Sequence, residues 1–285
     1  MMDGSSGHPV HAAGSKGRSG VRIGVSSYAA VRQPLADAAA ELLGLGEEIE
    51  IMCEPPHAWP APIRWEGDRL ISLHMPILGI NIASTNPGVR RESVRQIEET
   101  INEAARLGAV GVVVHPGTPP YEEIMPRDRG LPYAIESLRA LCESAAAAGI
   151  EVYLENMPDV AVGANLPRIG HKIIYGVTYE ELRHIYDSVR HPSLRLCLDL
   201  GHAFLAGRST LDAMLRDPDV VHIHVNDNLG WRDDHLAWGD GEISKVVNLA
   251  DDLSPSVRTV IFETKSIDAA RTSLARVSHD LGGRR

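Results

Sequence analysis

The chain is expected to fold as α/β, a single parallel (β/α)8 barrel. Three observations lead there. Eight short apolar runs alternate with helical stretches along the whole sequence. The 285 residues fit one barrel of about 250 residues with a tail to spare. Six consecutive strands also end on His, Asp or Glu, which makes sense if all strands deliver those ends to one rim. An open doubly wound sheet shares the alternation, so the strand count is what favours closure.

The elements follow in order. Residues 1–20 are rich in Gly, Ser and His, lack an apolar core, and read as an unstructured tail carrying His8 and His11. The barrel domain then runs over 21–285. Val21 to Val25 is the first strand, and Pro34 to Leu43 a helix opened by its proline. Glu48 to Met52 is the second strand, followed by a Pro-rich loop through Arg64. Leu70 to His74 is the third. Val89 to Leu107 is a long helix with Val94, Ile97, Ile101, Ala104 and Ala105 on one face, ended by Gly108. Val110 to His115 is the fourth strand. Pro132 to Ala148 is a helix stopped by Gly149, and Ile150 to Glu155 is the fifth strand. Thr178 to Ser188 is a helix, with Thr178 and Glu181 spaced as a capping box. Leu194 to Asp199, Val220 to Asn226 and Arg258 to Glu263 are strands six to eight. Helical stretches are expected around Thr210–Leu215 and Ile243–Leu253, and after Ile267. No linker or internal repeat divides the chain.

Composition narrows the function. A net charge of −10 and a pI near 5.7 argue against a protein coated in basic charge, though not against a local basic groove. Cys53, Cys142 and Cys197 show no CxxC spacing, so a reducing, cytoplasmic setting without disulfides is expected. No apolar run approaches the roughly 20 residues of a membrane helix, so no membrane partner is expected.

The chemistry gathers at the strand ends. Val220-Val221-His222-Ile223-His224-Val225-Asn226-Asp227 reads as a strand buried on both faces, yet it carries two imidazoles on one face. Burying polar rings is unfavourable unless each finds a partner, and a metal ion at the strand's end would be one. The deeper ring, His222, is expected to pack inside the barrel. Strand three ends in His74, four in His115, five in Glu155, six in Asp199, seven in His224 and eight in Glu263. These are first-row ligands for a divalent ion such as Zn, with Mn or Fe as further options. Loops add more: Asp199-Leu200-Gly201-His202 lets His202 curl over the rim, and Asp233-Asp234-His235 follows strand seven.

Together with His115-Pro116-Gly117, Leu154-Glu155-Asn156, Asp199-Leu200-Gly201-His202-Ala203-Phe204, His224-Val225-Asn226-Asp227, Asp233-Asp234-His235, Gly239-Asp240-Gly241 and Phe262-Glu263-Thr264, these residues resemble endonuclease IV (AP endonuclease family 2), within the xylose-isomerase-like barrels. The resemblance covers Val21 to Lys265. It implies three metal ions. One is held by His74, His115 and Glu155. A second shares Glu155 and adds Asp199, His224 and Glu263. A third sits on His202, Asp233 and His235. It also implies metal-dependent hydrolysis of a phosphoester, abasic-site DNA as the family substrate, and a catalytic role for Glu155, which Glu263 shares where the chemistry is an isomerase's proton exchange.

The loop Cys53-Glu54-Pro55-Pro56-His57-Ala58-Trp59-Pro60 departs from that family and is closer to its sugar isomerase and epimerase relatives. The alternative expectation is a one-metal isomerase or epimerase of a sugar or sugar phosphate, using Glu155, Asp199, His224 and Glu263. Substrate contacts are expected from Glu54, His57, Arg232, Trp238 and Lys265, and partners orienting the ligands from Asn156, Asn226 and Asp227. DNA would need rim cations, and Arg90, Arg91, Arg127, Arg129, Arg208 and Arg232 are the candidates. His171, His184, His191 and His279 fall in helical or loop contexts and read as surface.

Overall fold

A computed structural model of the chain describes residues 20–45, 48–57, 69–161, 163 and 166–281. The tail residues 1–19, the loop residues Ala58, Trp59 and Pro60, and the side chain of His279 lie outside the described residues. Eight parallel strands close in sequence order: β1 Arg22–Ser26, β2 Glu48–Met52, β3 Leu70–His74, β4 Gly111–Val114, β5 Glu151–Glu155, β6 Leu194–Asp199, β7 Val220–Val225 and β8 Thr259–Phe262. β1 pairs with β8, which completes the (β/α)8 barrel that the strand count predicts. The register sets Asp199 beside His224 and Glu50 beside Ser72.

The helices are α1 Leu35–Leu43, α2 Pro87–Leu107, α3 Leu131–Ala148, α4 Gly170–Ile173, α5 Tyr179–Val189, α6 Leu200–Ala206, α7 Arg208–Arg216 and α8 Ile267–Leu281. Local chemistry sets their ends. The Asn86 side chain caps α2 by accepting from the Gly88 and Val89 amides, so the helix starts two residues earlier than its hydrophobic period shows. Gly108 and Gly149 end α2 and α3 in left-handed conformations (φ 79° and 76°). Thr178 caps α5 through the Glu181 amide. The reciprocal half of the expected box is not made, because the Glu181 carboxylate pairs with Arg127 and accepts from the Gly176 amide.

Outward-facing Ile51, Leu73, Val114, Leu154, Leu198, Ile223 and Val225 meet Ile97, Ile101, Leu138, Leu141 and Ile185 of the surrounding helices in the main apolar core. Inside the barrel the layer below the rim is polar: Glu50, Ser72 and His222 are fully buried there. His222 stacks on Tyr153 with ring centroids 4.8 Å apart, in keeping with its expected packing role. All three cysteines are buried and free. No helix among the described residues is long and apolar enough to cross a membrane.

One expected helix is corrected. Residues 243–253 hold only a 3-10 turn, Ile243–Lys245. The Asp227 carboxylate accepts from the Ile243 amide and the Ser244 hydroxyl, drawing this segment into the loop after β7. Asn248 and Asp252 then close local turns through the Ala250 and Asn248 amides. Such side-chain bonds compete with a helical ladder.

Candidate metal centre

At the C-terminal rim the nine nominated ligands fall into three groups. His74, His115 and Glu155 form one; Glu155, Asp199, His224 and Glu263 a second; His202, Asp233 and His235 a third. Within each group the ligating atoms lie within 4.8 Å of one another. His115 and Glu263 sit just beyond the last residues of β4 and β8, so they project into the mouth.

Glu155 faces two groups at once. Its Oε2 lies 2.9 Å from His115 Nε2 and 3.3 Å from His74 Nε2. Its Oε1 lies 3.3 Å from His224 Nδ1 and 3.5 Å from His202 Nδ1. His224 Nδ1 is also 3.4 Å from Glu263 Oε2. The carboxylate thus turns one oxygen toward each of two ligand groups.

The imidazoles are aimed. His74 donates from Nδ1 to the Met75 carbonyl (2.9 Å), His202 from Nδ1 to the Asn156 carbonyl (2.8 Å), and His235 from Nδ1 to the Glu263 carbonyl (3.0 Å). In each, Nε2 is left facing its group, where loss of its proton would offer a lone pair to an ion. A histidine held by its outer nitrogen is what orients a metal ligand and fixes its tautomer. His235 also adopts a left-handed backbone, φ 47°, which is strained for a residue with a Cβ and typical of functional positions.

Asp199 is clamped from three sides. Asn156 accepts from its amide (2.8 Å) and donates to its carbonyl (3.1 Å). Asn226 donates to Oδ2 (2.8 Å). Oδ1 accepts from the His202 amide (2.7 Å), which makes Asp199 the N-cap of α6 and is why the D-x-x-H spacing brings His202 over the rim. Gly201 is required within that turn, since a Cβ there would sit 2.0 Å from Asn226 Oδ1. Asp227 instead organises the loop after β7, accepting from the Asn228, Gly239 and Ile243 amides and the Ser244 hydroxyl.

Charge is finely opposed here. Burial resists ionisation of Glu155 and Glu263, yet the facing imidazoles hold both carboxyls below the usual range. Burial disfavours the charged imidazoles of His202 and His224 as well, but the surrounding acids push both well above the ordinary value. His235 is likewise opposed by burial and pushed up to about 9 by Asp233 and Glu263. Asp199 is pushed up to about 6, by burial first and by Glu155, Asp233 and Glu263 against the pull of His202. Protons on these rings offset the negative field that divalent cations would offset. Asp233 faces both rings with Oδ2, while its Oδ1 is buried without a hydrogen-bond partner. Donor types, aim and this unpartnered oxygen all fit ions.

The nominated substrate contacts fare differently. The Glu54 carboxylate accepts from the Ile77 and Leu78 amides and so holds the loop after β3. His57 is buried against the Ser27 hydroxyl (3.0 Å) and the Ala30 carbonyl (3.3 Å). Trp238 packs into the core. Each of those three side chains thus has a structural partner of its own. Arg232 pairs with Asp234, and Lys265 is exposed and reaches the Asp233 carbonyl (3.1 Å). Of the rim cations, Arg127 pairs with Glu181, Arg208 with Asp212, and Arg90 binds the Ser84 carbonyl beneath Tyr133. Arg91 and Arg129 are exposed. His171 is exposed and pairs with Asp159.

Two residues escaped the sequence reading. Tyr28, after β1, brings its ring to 5.1 Å from His235 at the mouth. Glu50, in mid-β2, contacts His222 and His224. Its signal was available: Ile49 and Ile51 take the outer face, so the glutamate between them points inward.

A closed parallel barrel with acid and imidazole groups at its C-terminal rim is the layout of a TIM-barrel enzyme. The sequence profile of the xylose isomerase-like TIM barrel family matches residues 33–276, and the chain belongs to that family. It is 29% identical over 241 residues to the uncharacterized protein MJ1311 of Methanocaldococcus jannaschii, covering 79% of this chain and 76% of that one. It is 27% identical over 234 residues to a probable endonuclease 4 of Mycobacterium leprae, covering 77% and 84%. Among solved structures, a D-tagatose 3-epimerase-like protein superposes with a TM-score of 0.77 at 26% identity, over 93% of this chain and 98% of that one.

Proposed function

We propose that the protein is a metal-dependent phosphoester hydrolase of the endonuclease IV type, with three divalent ions, Zn the first candidate, and abasic-site DNA the first substrate to test. The observation that carries this reading is the third group. His202, Asp233 and His235 converge with both rings anchored at Nδ1 and Asp233 Oδ1 left open. A one-metal isomerase has no use for them. Bound ions would supply charge stabilisation for the phosphoryl group and acidify the attacking water. Glu155 would serve the first two groups, since each of its oxygens faces one of them. Asp199, His224 and Glu263 would complete the second, and His202 of α6 with Asp233 and His235 of the loop after β7 would hold the third.

A one-metal sugar isomerase or epimerase is the second reading. It is favoured by the likeness to the D-tagatose 3-epimerase-like protein and by a rim whose cations are largely paired. In it, Glu155 and Glu263 would exchange the substrate proton.

The test is cleavage of duplex DNA carrying one abasic site, by zinc-reconstituted protein at low salt. Cleavage abolished by EDTA is expected, with binding that weakens on added salt by a log–log slope of about −0.9 per phosphate neutralised. Intact DNA together with interconversion of ketose epimers would give the second reading first place.

A further inference from the structure

The other anchored rings lean on backbone carbonyls. His224 is the exception, because its outer nitrogen faces a carboxylate. Nδ1 looks up into the second group, while Nε2 lies 3.0 Å from Oε1 of Glu50, one layer down on β2. Both Nε2 and Oε1 are fully buried, and neither makes an aligned hydrogen bond, so each is the pole that answers the other. The other oxygen of Glu50 is pinned: Ser72 donates to it at 2.6 Å, and His222 Nε2 lies 3.1 Å away across the barrel. The second nitrogen of His222 meets the Thr259 hydroxyl. With both nitrogens engaged, the His222 ring works as a brace between β2 and β8.

We infer that Glu50 is the positioning residue for the second metal site: it holds His224 with the proton on Nε2 and the lone pair of Nδ1 directed at the ion. A carboxylate behind a ligating histidine orients the ring and raises its basicity. Seated in mid-strand and tied to β3 and β7, Glu50 also couples the ligand's aim to the barrel wall. The inference rests on His224 being an ion ligand, which the hydrolase and isomerase readings share, so it stands apart from the choice between them.

The experiment is stepwise zinc titration against a chromophoric chelator, with nitrogen NMR of the histidine rings in the zinc-loaded protein. Glu50→Gln keeps the shape and removes the charge. It is expected to weaken one zinc step about 10- to 100-fold, leave the other steps unchanged, and move the Nε2–H resonance of His224. Ser72→Ala, which frees the pinned oxygen, is expected to weaken the same step several-fold, and keeps the test decisive if Glu50→Gln folds poorly. Wild-type titration curves and an unmoved His224 resonance in both variants would overturn the role of Glu50. A uniform loss of every zinc step would overturn it too, by marking Glu50 as a structural residue. If unmodified protein shows no ion on His224, the metal reading itself fails.

Discussion

Glu155→Gln is expected to abolish turnover, lowering kcat on the order of 10²–10⁴-fold under either chemistry. The amide keeps the volume of the carboxylate, so folding should be little affected. It replaces one anionic oxygen by an N–H donor, however, and both oxygens face ligand groups: Oε2 toward His74 and His115, Oε1 toward His224. Whichever way the amide turns, one group receives a donor where it needs an acceptor. As a hydrolase the enzyme loses the link between two ion positions, and as an isomerase it loses a proton-exchanging base. Steady-state rates at saturating metal check this, with circular dichroism to confirm the fold. A variant retaining more than a tenth of wild-type kcat would remove Glu155 from the centre of the chemistry.

His202→Ala is expected to separate the two chemistries. The ring belongs to the third group through Nε2, 3.4 Å from Asp233 Oδ2. Its loss should leave that ion with an aspartate and one imidazole. Phosphoester cleavage should then fall on the order of 10²–10³-fold, the usual effect of removing one preorganised stabiliser of developing charge. Epimerisation of a sugar needs only Glu155, Asp199, His224 and Glu263, and should be largely retained. Parallel rates on an abasic duplex and on ketose sugars decide the matter. Unchanged DNA cleavage in the variant would count against a third ion.

The barrel was legible because most of its parallel strands are buried on both faces and read as apolar runs, the last six ending at a ligand type. Boundaries slipped by a residue where those residues leave the ladder: β4 stops at Val114, β7 at Val225 and β8 at Phe262, each just before His115, Asn226 or Glu263. The groups at the rim were legible for the same reason, since topology alone carries His74 and His224 to ring centroids 6.0 Å apart. Less was visible where a side chain's task depends on a distant partner. Glu50 meets His222 from a strand 172 residues away in sequence. The hydrogen bonds of Glu54 to the Ile77 and Leu78 amides and of His57 to the Ser27 hydroxyl were equally out of sight. Helix α6 stayed hidden because its seven residues, from Leu200 to Ala206, carry too little periodicity to show. Residues 243–253 have that periodicity, but Asp227 overrides it.

Nine converging ligand groups lead us to expect three ions at the rim. Elemental analysis of zinc-reconstituted protein, freed of loose metal by gel filtration, tests it most directly. Close to three zinc ions per chain are expected, falling to two in His202→Ala. Close to one per chain after full reconstitution would contradict it, and would make the enzyme a one-metal member of its family.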